Sequence, residues 1–452
     1  MKVCKFGGSS VADEHQIRKI LNIINNDSER KYIVVSAPGK RFKDDVKVTD
    51  MFIALIEAIL DGSNYDEIIE QILNRYKQIE DGLEVNHSLI SHFNDVIHVY
   101  INQYKNNPDR LTDALKSCGE DFNAQLIANY NNEQGIKTTY LSPGDIELYV
   151  SDEPGNAIVL DESYERINKK LNNIEGKVII PGFFGINKSG DVNTFSRGGS
   201  DITGAIIASS MNCSVYENFT DVSGIFSANP NVVNNPASIL QLTYEEMREL
   251  SYAGFNVFHD EALLPVYRSN IPVNIKNTNE PDHPGTLITT TRTSTGVVGV
   301  SCDKGFVSIN MKKYLMNREI GFTRRLLSIL EDLNISYEHM PSGIDDISVI
   351  LRAHQLHNKE EILKNRIIQE LHVDALSIEK NIAVLMIVGL GMKTLVGTAN
   401  KATEAFKNEN INLKMINQGS SEISMMFGIE ENDADKATRA VYKAYFNTDN
   451  EQ

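Results

Sequence analysis

Four short clusters in this chain carry side chains able to act on an anion or its ammonium partner. Lys5-Phe6-Gly7-Gly8-Ser9-Ser10 sets a lysine beside two glycines, which let the backbone turn tightly and bring its N–H groups close to a phosphate. Phe195-Ser196-Arg197-Gly198-Gly199-Ser200-Asp201 sets an arginine, able to grip a carboxylate bidentately, at the start of a helix read over residues 202–211. Gly119-Glu120 offers a carboxylate to an ammonium group, and Thr220-Asp221-Val222-Ser223-Gly224-Ile225-Phe226 follows a strand whose carboxyl end would face a ligand crevice. Each cluster also has an ordinary reading: a Gly-rich strand-to-helix turn, a helix cap at Asp201, a solvated helix residue at Glu120, and an Asn, Gly and Pro turn. Gly389-Leu390-Gly391-Met392-Lys393-Thr394 lacks the spacing of a Walker loop, and no G-x-G-x-x-G follows a suitable strand.

Such clusters need a scaffold that gathers loops from distant parts of the chain. Val3, Cys4 and Phe6 read as a buried strand, and residues 12–24 as a helix with Ile17, Ile20, Leu21 and Ile24 on one face behind the cap Asp13. From residue 1 to about 290, β-rich runs at 32–36, 177–180 and 214–219 alternate with amphipathic helices, which predicts an α/β domain around a mainly parallel sheet. Residues 50–130 depart from this, with Phe52, Leu55, Ile56 and Ile59 on one helical face and Ile68, Ile72 and Leu73 on another. This helical excursion reads either as a moving lid or as a subdomain that only packs.

The chain has 452 residues, enough for more than one domain, and 41% hydrophobic residues to build cores. Its 61 acidic against 44 basic residues, a formal charge of -17, argue against nucleic acid and anionic membrane as partners. Anionic ligands must therefore be met by a few local cations. Cys4, Cys118, Cys213 and Cys302 are far apart and form no metal or disulfide pattern, so no metal site is expected and a reducing cytoplasm is the simplest compartment. No apolar run approaches the ~20 residues of a membrane helix, and with no signal-peptide pattern the mature chain is expected to begin at Met1.

The last third repeats itself. Residues 321–351 align without gaps on 397–427, with identities at Gly321/Gly397, Asn334/Asn410, Ile335/Ile411, Gly343/Gly419, Ile347/Ile423 and Ser348/Ser424. Each copy reads helix, strand, glycine turn, strand and second helix (359–371 and 434–446), which predicts two βαββαβ modules. Residues 297–302 supply a spare strand before the first copy, while the polar residues 447–452 cannot close the second. The spare strand is therefore expected to close the second module and interleave the two.

Taken in order, Lys-Phe-Gly-Gly-Ser-Ser, Gly-Glu, Ser-Arg-Gly-Gly-Ser-Asp, Thr-Asp-Val-Ser-Gly-Ile-Phe, Pro284-Gly285-Thr286-Leu287 and the two repeats closely resemble the aspartokinase family over essentially the whole chain. The resemblance is to the single-function branch with paired ACT modules. It implies an amino-acid-kinase-like catalytic domain at 1–295 with the excursion at about 50–130, an ACT-like module at 296–381, and a second at 382–452 that strand 297–302 would close. It also implies transfer of the ATP γ-phosphoryl group to the β-carboxylate of L-aspartate, with Mg2+ accompanying the nucleotide. A carboxylate with a reference pKa of ~3.9 needs no general base, so alignment and charge neutralisation would do the work.

By the same resemblance Lys5 contacts the transferring phosphoryl, Gly7, Gly8 and Ser9 cradle phosphate oxygens, and Asp201 orients the lysine. Arg197 and Glu120 hold the carboxylate and amine of aspartate, with Thr49, Gly198, Gly199 and Ser200 lining the pocket. Thr220, Asp221 and Phe226 match nucleotide positions, as do Asn231 and Asn279, where relatives often carry arginine and lysine. Phe226 stands where tyrosine is usual. Met316, Phe322, Thr323, Tyr337, Glu338 and Asp345 match an effector site for lysine, threonine or both, or else an ordinary module interface. Homodimers or dimers of dimers through the repeats are expected. The rival functions are an amino-acid sensor that has lost turnover and another carboxylate-directed amino-acid kinase.

Overall fold

Val3, Cys4 and Phe6 are fully buried in β1 (Lys2–Phe6), which lies inside an eight-stranded sheet between two parallel neighbours. The computed structural model describes residues 1–196, 198–255, 258, 260–293 and 296–446. Within it the chain forms two units, Met1–Ile225 with Ser238–Arg248 and Asn256–Arg292, and Phe226–Ala237 with Glu249–Phe255 and Thr293–Gln452.

Up to residue 289 the strands are β1, β2 (Arg30–Val35), β3 (Thr138–Tyr140), β4 (Lys177–Pro181), the hairpin β5 (Phe184–Ile186) and β6 (Val192–Thr194), β7 (Val215–Thr220), the two-residue β8 (Ile225–Phe226) and β9 (Ser238–Ile239), β10 (Gln241–Thr243), β11 (Val273–Asn277) and β12 (Thr286–Thr289). The large sheet runs β10-β12-β11-β7-β1-β2-β4-β3. Every neighbouring pair in it is parallel except β11 with β12. Strands buried on both faces read as continuous apolar runs, as β2 and β4 do, while in β1 Lys5 interrupts the run.

Helices α1 (Glu14–Asn25), α2 (Val48–Leu60), α3 (Asp66–Leu83), α4 (Ile90–Tyr104), α5 (Pro108–Glu133), α6 (Glu162–Leu171), α7 (Gly199–Ser210), α8 (Tyr244–Tyr252) and α9 (Asp260–Arg268) connect these strands. The Asp13 carboxylate accepts from the Gln16 N–H at 2.9 Å and caps α1, whose Ile17, Ile20, Leu21 and Ile24 are buried. α5 starts with Pro108 in its first turn, behind Asn107, which accepts from the Arg110 N–H. Helices α2 to α5 share one core with α1, β1 and β2, around Phe52, Tyr76, Phe93 and Phe122. The Phe93 and Phe122 rings stack at 4.2 Å, and Tyr76 donates its hydroxyl to the Gly119 carbonyl at 2.7 Å.

The second unit holds β13 (Gly299–Lys312), α10 (Phe322–Asp332), β14 (Asp346–Arg352), α11 (Glu360–Leu371), β15 (Ala375–Val388), α12 (Thr398–Asn408), β16 (Met415–Asn417), β17 (Ser424–Glu430) and α13 (Ala434–Phe446). Its sheet runs β14-β13-β15-β17-β16. The two 14-residue strands β13 and β15 pair antiparallel along their length. Gly299 to Asp303 lie opposite Val384 to Val388, and Val300 packs among Leu385, Ile387, Phe406 and Val441. The later half of β13 pairs with β14, around the core of Leu326, Ile329, Val349 and Leu363.

The repeat is visible in backbone geometry. Helices α10 and α12 begin 76 residues apart, after Gly321 at φ 81° and Gly397 at φ 84°, and Asn334 and Asn410 that follow them adopt φ 49° and 53°. A left-handed residue admits glycine or asparagine most easily, which explains two of the shared identities. The copies differ in one strand. β16 has as its counterpart only single bridges, His339 with Ile350 and Ser342 with Ile347. Pro341 in that stretch has no N–H to extend a ladder.

Candidate active site

The loops that follow β1, β2 and β7 and the start of α7 meet at the carboxyl end of the parallel strands. Lys5, next to last in β1, reaches Asp201 of α7, with Nζ 2.6 Å from Oδ1 and both side chains mostly buried. The same Oδ1 accepts from Asn218 Nδ2 at 2.7 Å, and Asn218 is the register partner of Lys5 on β7. Asp201 is thereby held from two sides, and it holds the amine in turn. A Cβ on Gly7 would sit 3.5 Å from Lys5 Nζ, so the lysine amine lies directly beside the glycine loop.

After Gly7 the chain enters a 3-10 turn, Gly8–Val11, and the Ser10 hydroxyl bonds that of Thr278 at 2.6 Å. The loop after β2 presses on this turn. The Gly39 N–H donates to the Gly8 carbonyl at 2.8 Å, and a Cβ on Gly39 would fall 2.6 Å from the Gly8 carbonyl carbon. Only a residue without a side chain fits there.

Glu120 comes from α5. Gly119 lets that helix approach, because a Cβ there would lie 2.9 Å from Ala37 Cβ. The Glu120 carboxyl is buried, and its Oε2 has no hydrogen-bond partner among the described residues. Burial raises its pKa to about 8, with the Ala37 backbone N–H and the Lys5 charge pulling weakly the other way. A buried carboxylate with an idle oxygen is poised for an ammonium, which would restore its charge. A cavity of about 570 Å3 joins Gly8, Ser9, Thr49, Glu120 and Asp221 to the 36–43 loop and Lys47.

The remaining expected residues fall as follows. Gly198 stands at φ 73° before α7, and Gly199 and Ser200 are buried in its first turn. A Cβ on Gly182, just after β4, would meet Ser200 Cβ at 2.6 Å, so that turn lies against the sheet's carboxyl end. Thr220 ends β7 and donates to Asp221 Oδ1 at 3.1 Å. Asn279 accepts from Lys19 Nζ at 2.9 Å in a turn tied to β7 through the Thr278 N–H and the Thr220 carbonyl. Phe226 and Asn231 belong to the second unit, half-buried and exposed respectively. Arg197 lies outside the described residues, as does His259.

Two groups escaped the sequence reading. Asn218, which fixes Asp201, carries no local signal. Lys40, Arg41, Lys43 and Lys47 line the cavity, and their signal was a run of basic residues after an apolar strand in an acidic chain.

In the second unit the expected effector residues divide. Met316 and Phe322 are buried in the core of the first repeat. Asp345 accepts from the Leu315 N–H at 2.8 Å, and Thr323 and Tyr337 are exposed. Glu338 accepts from the Tyr252 hydroxyl and lies 3.6 Å from Arg352 Nε. Burial raises the Tyr252 pKa far above its usual value, with the bond to Glu338 second.

The amino acid kinase family profile matches residues 1–277, and an ACT domain profile matches residues 385–445. The chain is 49% identical over 450 residues to aspartokinase 3 of Bacillus subtilis, covering 99% of each. The crystal structure of Clostridium acetobutylicum aspartate kinase aligns with a TM-score of 0.85 at 39% identity, covering 98% of this chain and 100% of that one. Escherichia coli aspartokinase III, solved in complex with aspartate and ADP, aligns with a TM-score of 0.78 over 99% of this chain and 100% of that one; at 23% identity it speaks for the fold.

Proposed function

The chain belongs to the aspartokinase family, and on that premise we infer that it transfers the γ-phosphoryl group of ATP to the β-carboxylate of L-aspartate, giving 4-phospho-L-aspartate. It is an ATP-dependent aspartate kinase. The observation that carries this reading is the cavity that joins the glycine loop at Gly8 and Ser9 to the buried, half-partnered carboxylate of Glu120. One end suits a phosphate and the other an ammonium.

The nucleophile is an anion already, so no group in the site needs to remove a proton. Lys5 keeps one N–H on Asp201 and has further donors for the transferring phosphoryl. Gly7, Gly8 and Ser9 cradle phosphate oxygens through backbone N–H groups. Glu120 takes the amino group of aspartate, Arg197 a carboxylate, and Thr49, Gly198, Gly199 and Ser200 line the substrate side. Thr220, Asp221 and Asn279 serve the nucleotide, and for Phe226 and Asn231 that role rests on the family resemblance alone.

Among the described residues no group of three His, Cys, Asp or Glu is placed to hold a metal ion. Mg2+ would accompany the phosphates and supply charge neutralisation, with Asp221 on the cavity lining as a carboxylate that could meet it. Lysine, threonine or both bind the ACT modules as feedback effectors. Clostridium acetobutylicum aspartate kinase is an allosteric enzyme, which supports regulation of this kind. Pairing of the modules between copies gives a homodimer or a dimer of dimers, and the enzyme works in the cytoplasm. None of the described helices is long and apolar enough to cross a membrane.

ATP- and Mg2+-dependent hydroxamate formation with L-aspartate beside L-glutamate, repeated with lysine and threonine, tests the reading. Product with aspartate and inhibition by an effector are expected. Absence of product with aspartate would refute the reaction, and lysine binding without turnover would favour a sensor.

A further inference from the structure

Away from one basic segment, the described lining of the cavity carries no free positive charge. Lys5 is neutralised by Asp201 at 2.6 Å, and Glu120 and Asp221 add carboxyl groups to the walls. The cations on its described lining are Lys40, Arg41, Lys43 and Lys47, all on the segment between β2 and α2. That segment is built rather than loose. The Val48 N–H closes it onto the Pro38 carbonyl at 3.1 Å, and the Asp45 N–H bonds the Phe42 carbonyl at 3.1 Å.

Asp45 is the internal anchor. It accepts from the Arg41 N–H at 2.9 Å and from the Arg41 guanidinium at 2.7 and 2.8 Å, and Arg41 also reaches Gln78. Arg75, buried on α3, lies 3.4 Å from Asp45 and donates through Nη2 to the Ala12 carbonyl at 2.8 Å and the Gly39 carbonyl at 2.9 Å. One guanidinium thus ties the end of the glycine-loop turn to the start of the basic segment. Arg41 is committed to Asp45. Lys40 reaches only the Lys43 carbonyl, at 3.5 Å, and Lys43 and Lys47 have no anionic partner among the described residues.

We propose that Lys40, Lys43 and Lys47 form a cationic arm that binds the polyphosphate of the nucleotide across the cavity from Gly8 and Ser9, with Arg75 as its positioning residue. This rests on the phosphoryl-transfer reading of the same cavity. The arm is anchored beside the glycine loop, through Gly39 on Gly8, which favours phosphate over the substrate carboxylates. It offsets the repulsion between an anionic nucleophile and an anionic phosphoryl group, which the Lys5 and Asp201 pair alone does not do.

Calorimetric titration of the full chain with MgADP, beside steady-state kinetics, tests the arm. For Lys43→Gln/Lys47→Gln the MgADP Kd and the KM for ATP should rise about tenfold and the salt dependence of nucleotide binding should flatten, with the KM for aspartate within about twofold. Both side chains are exposed, so the melting temperature should hold. Arg75→Met should reproduce the loss and Arg75→Lys should restore part of it. A nucleotide Kd within about twofold of the wild type in the double variant, or a change confined to the KM for aspartate, overturns the proposal. Wild-type product formation tests the aspartate reading separately, and MgADP affinity tests the arm whether or not that reading holds.

Discussion

The cavity at the glycine loop and the region matched to an effector site by resemblance both draw on residues named from the sequence, yet the two are built in opposite ways. Around the cavity, groups from β1, β2, α5 and β7 converge and leave a buried Glu120 oxygen without a partner among the described residues, beside exposed lysines that meet no counter-ion among them. In the other region Met316, Phe322, Asp345 and Glu338 already have partners within the chain, while Thr323 and Tyr337 are exposed. Met316 and Phe322 fill a core, Asp345 holds the Leu315 N–H, and Glu338 takes the Tyr252 hydroxyl beside Arg352. Unsatisfied buried groups mark where a ligand completes the structure; satisfied ones serve the fold.

The largest effect that would break this contrast is expected at Lys5. Lys5→Ala should lower kcat in the hydroxamate assay by about a thousandfold. It should also destabilise the protein by about 3 kcal/mol, because among the described residues Asp201 keeps only Asn218 as a side-chain partner. Wild-type turnover in a folded Lys5→Ala protein would mean that the cavity lacks the assigned chemistry.

Next comes Glu120→Gln, for which the KM for aspartate should rise about a hundredfold, roughly the worth of one charged hydrogen bond made in a buried site. Titration adds a sign. The folded pKa of about 8 lies above the ordinary value of 4.5, so the unfolded chain loses this proton first as pH rises. Stability of the ligand-free wild type should fall from about pH 4.5 up to pH 8 relative to Glu120→Gln, read by chemical denaturation at several pH values. Binding of aspartate near pH 7 should release close to one proton in the wild type and none in the variant, seen by calorimetry in buffers of different ionisation enthalpy. Equal proton counts would remove the ammonium from Glu120.

Smaller changes sharpen the other side. Glu338→Gln and Tyr252→Phe should each cost about 1 kcal/mol and be non-additive, with kcat unchanged, as befits an internal strut. Loss of the lysine response without loss of stability would instead make Glu338 a ligand group. Gly321→Ala and Gly397→Ala should each cost about 1 kcal/mol by urea titration, and equally, because both residues hold nearly the same left-handed φ.

Much of the architecture was legible because its signals are local. The apolar residues of β1, β2 and β4, the cap at Asp13 and the 76-residue repeat all follow from side-chain periodicity and from residues that backbone angles demand. The weak strand of the first repeat was not legible, since both copies read with a strand there and only the pairing with β14 shows single bridges at His339 and Ser342. Within the site, Lys5, Gly7, Gly8 and Asp201 stood out by type and spacing. Asn218 did not, because an asparagine in a strand has no signature until the register sets it beside Lys5. The basic residues 40–47 drew no notice, because what sets them at the cavity is Asp45 and Arg75 holding the segment against the glycine loop, contacts made with distant residues.

By itself the sequence determined which residues could meet a phosphate, a carboxylate and an ammonium, and that a repeated module follows a parallel α/β domain. Those properties reside in residue type, spacing and period. Tertiary structure alone decided which groups would be left wanting. The same carboxylate on the same helix is a solvated side chain or a buried acid with a pKa near 8, depending on whether Gly119 lets α5 close on Ala37. Burial and partnership are relations between distant parts of the chain, and no stretch of letters carries them.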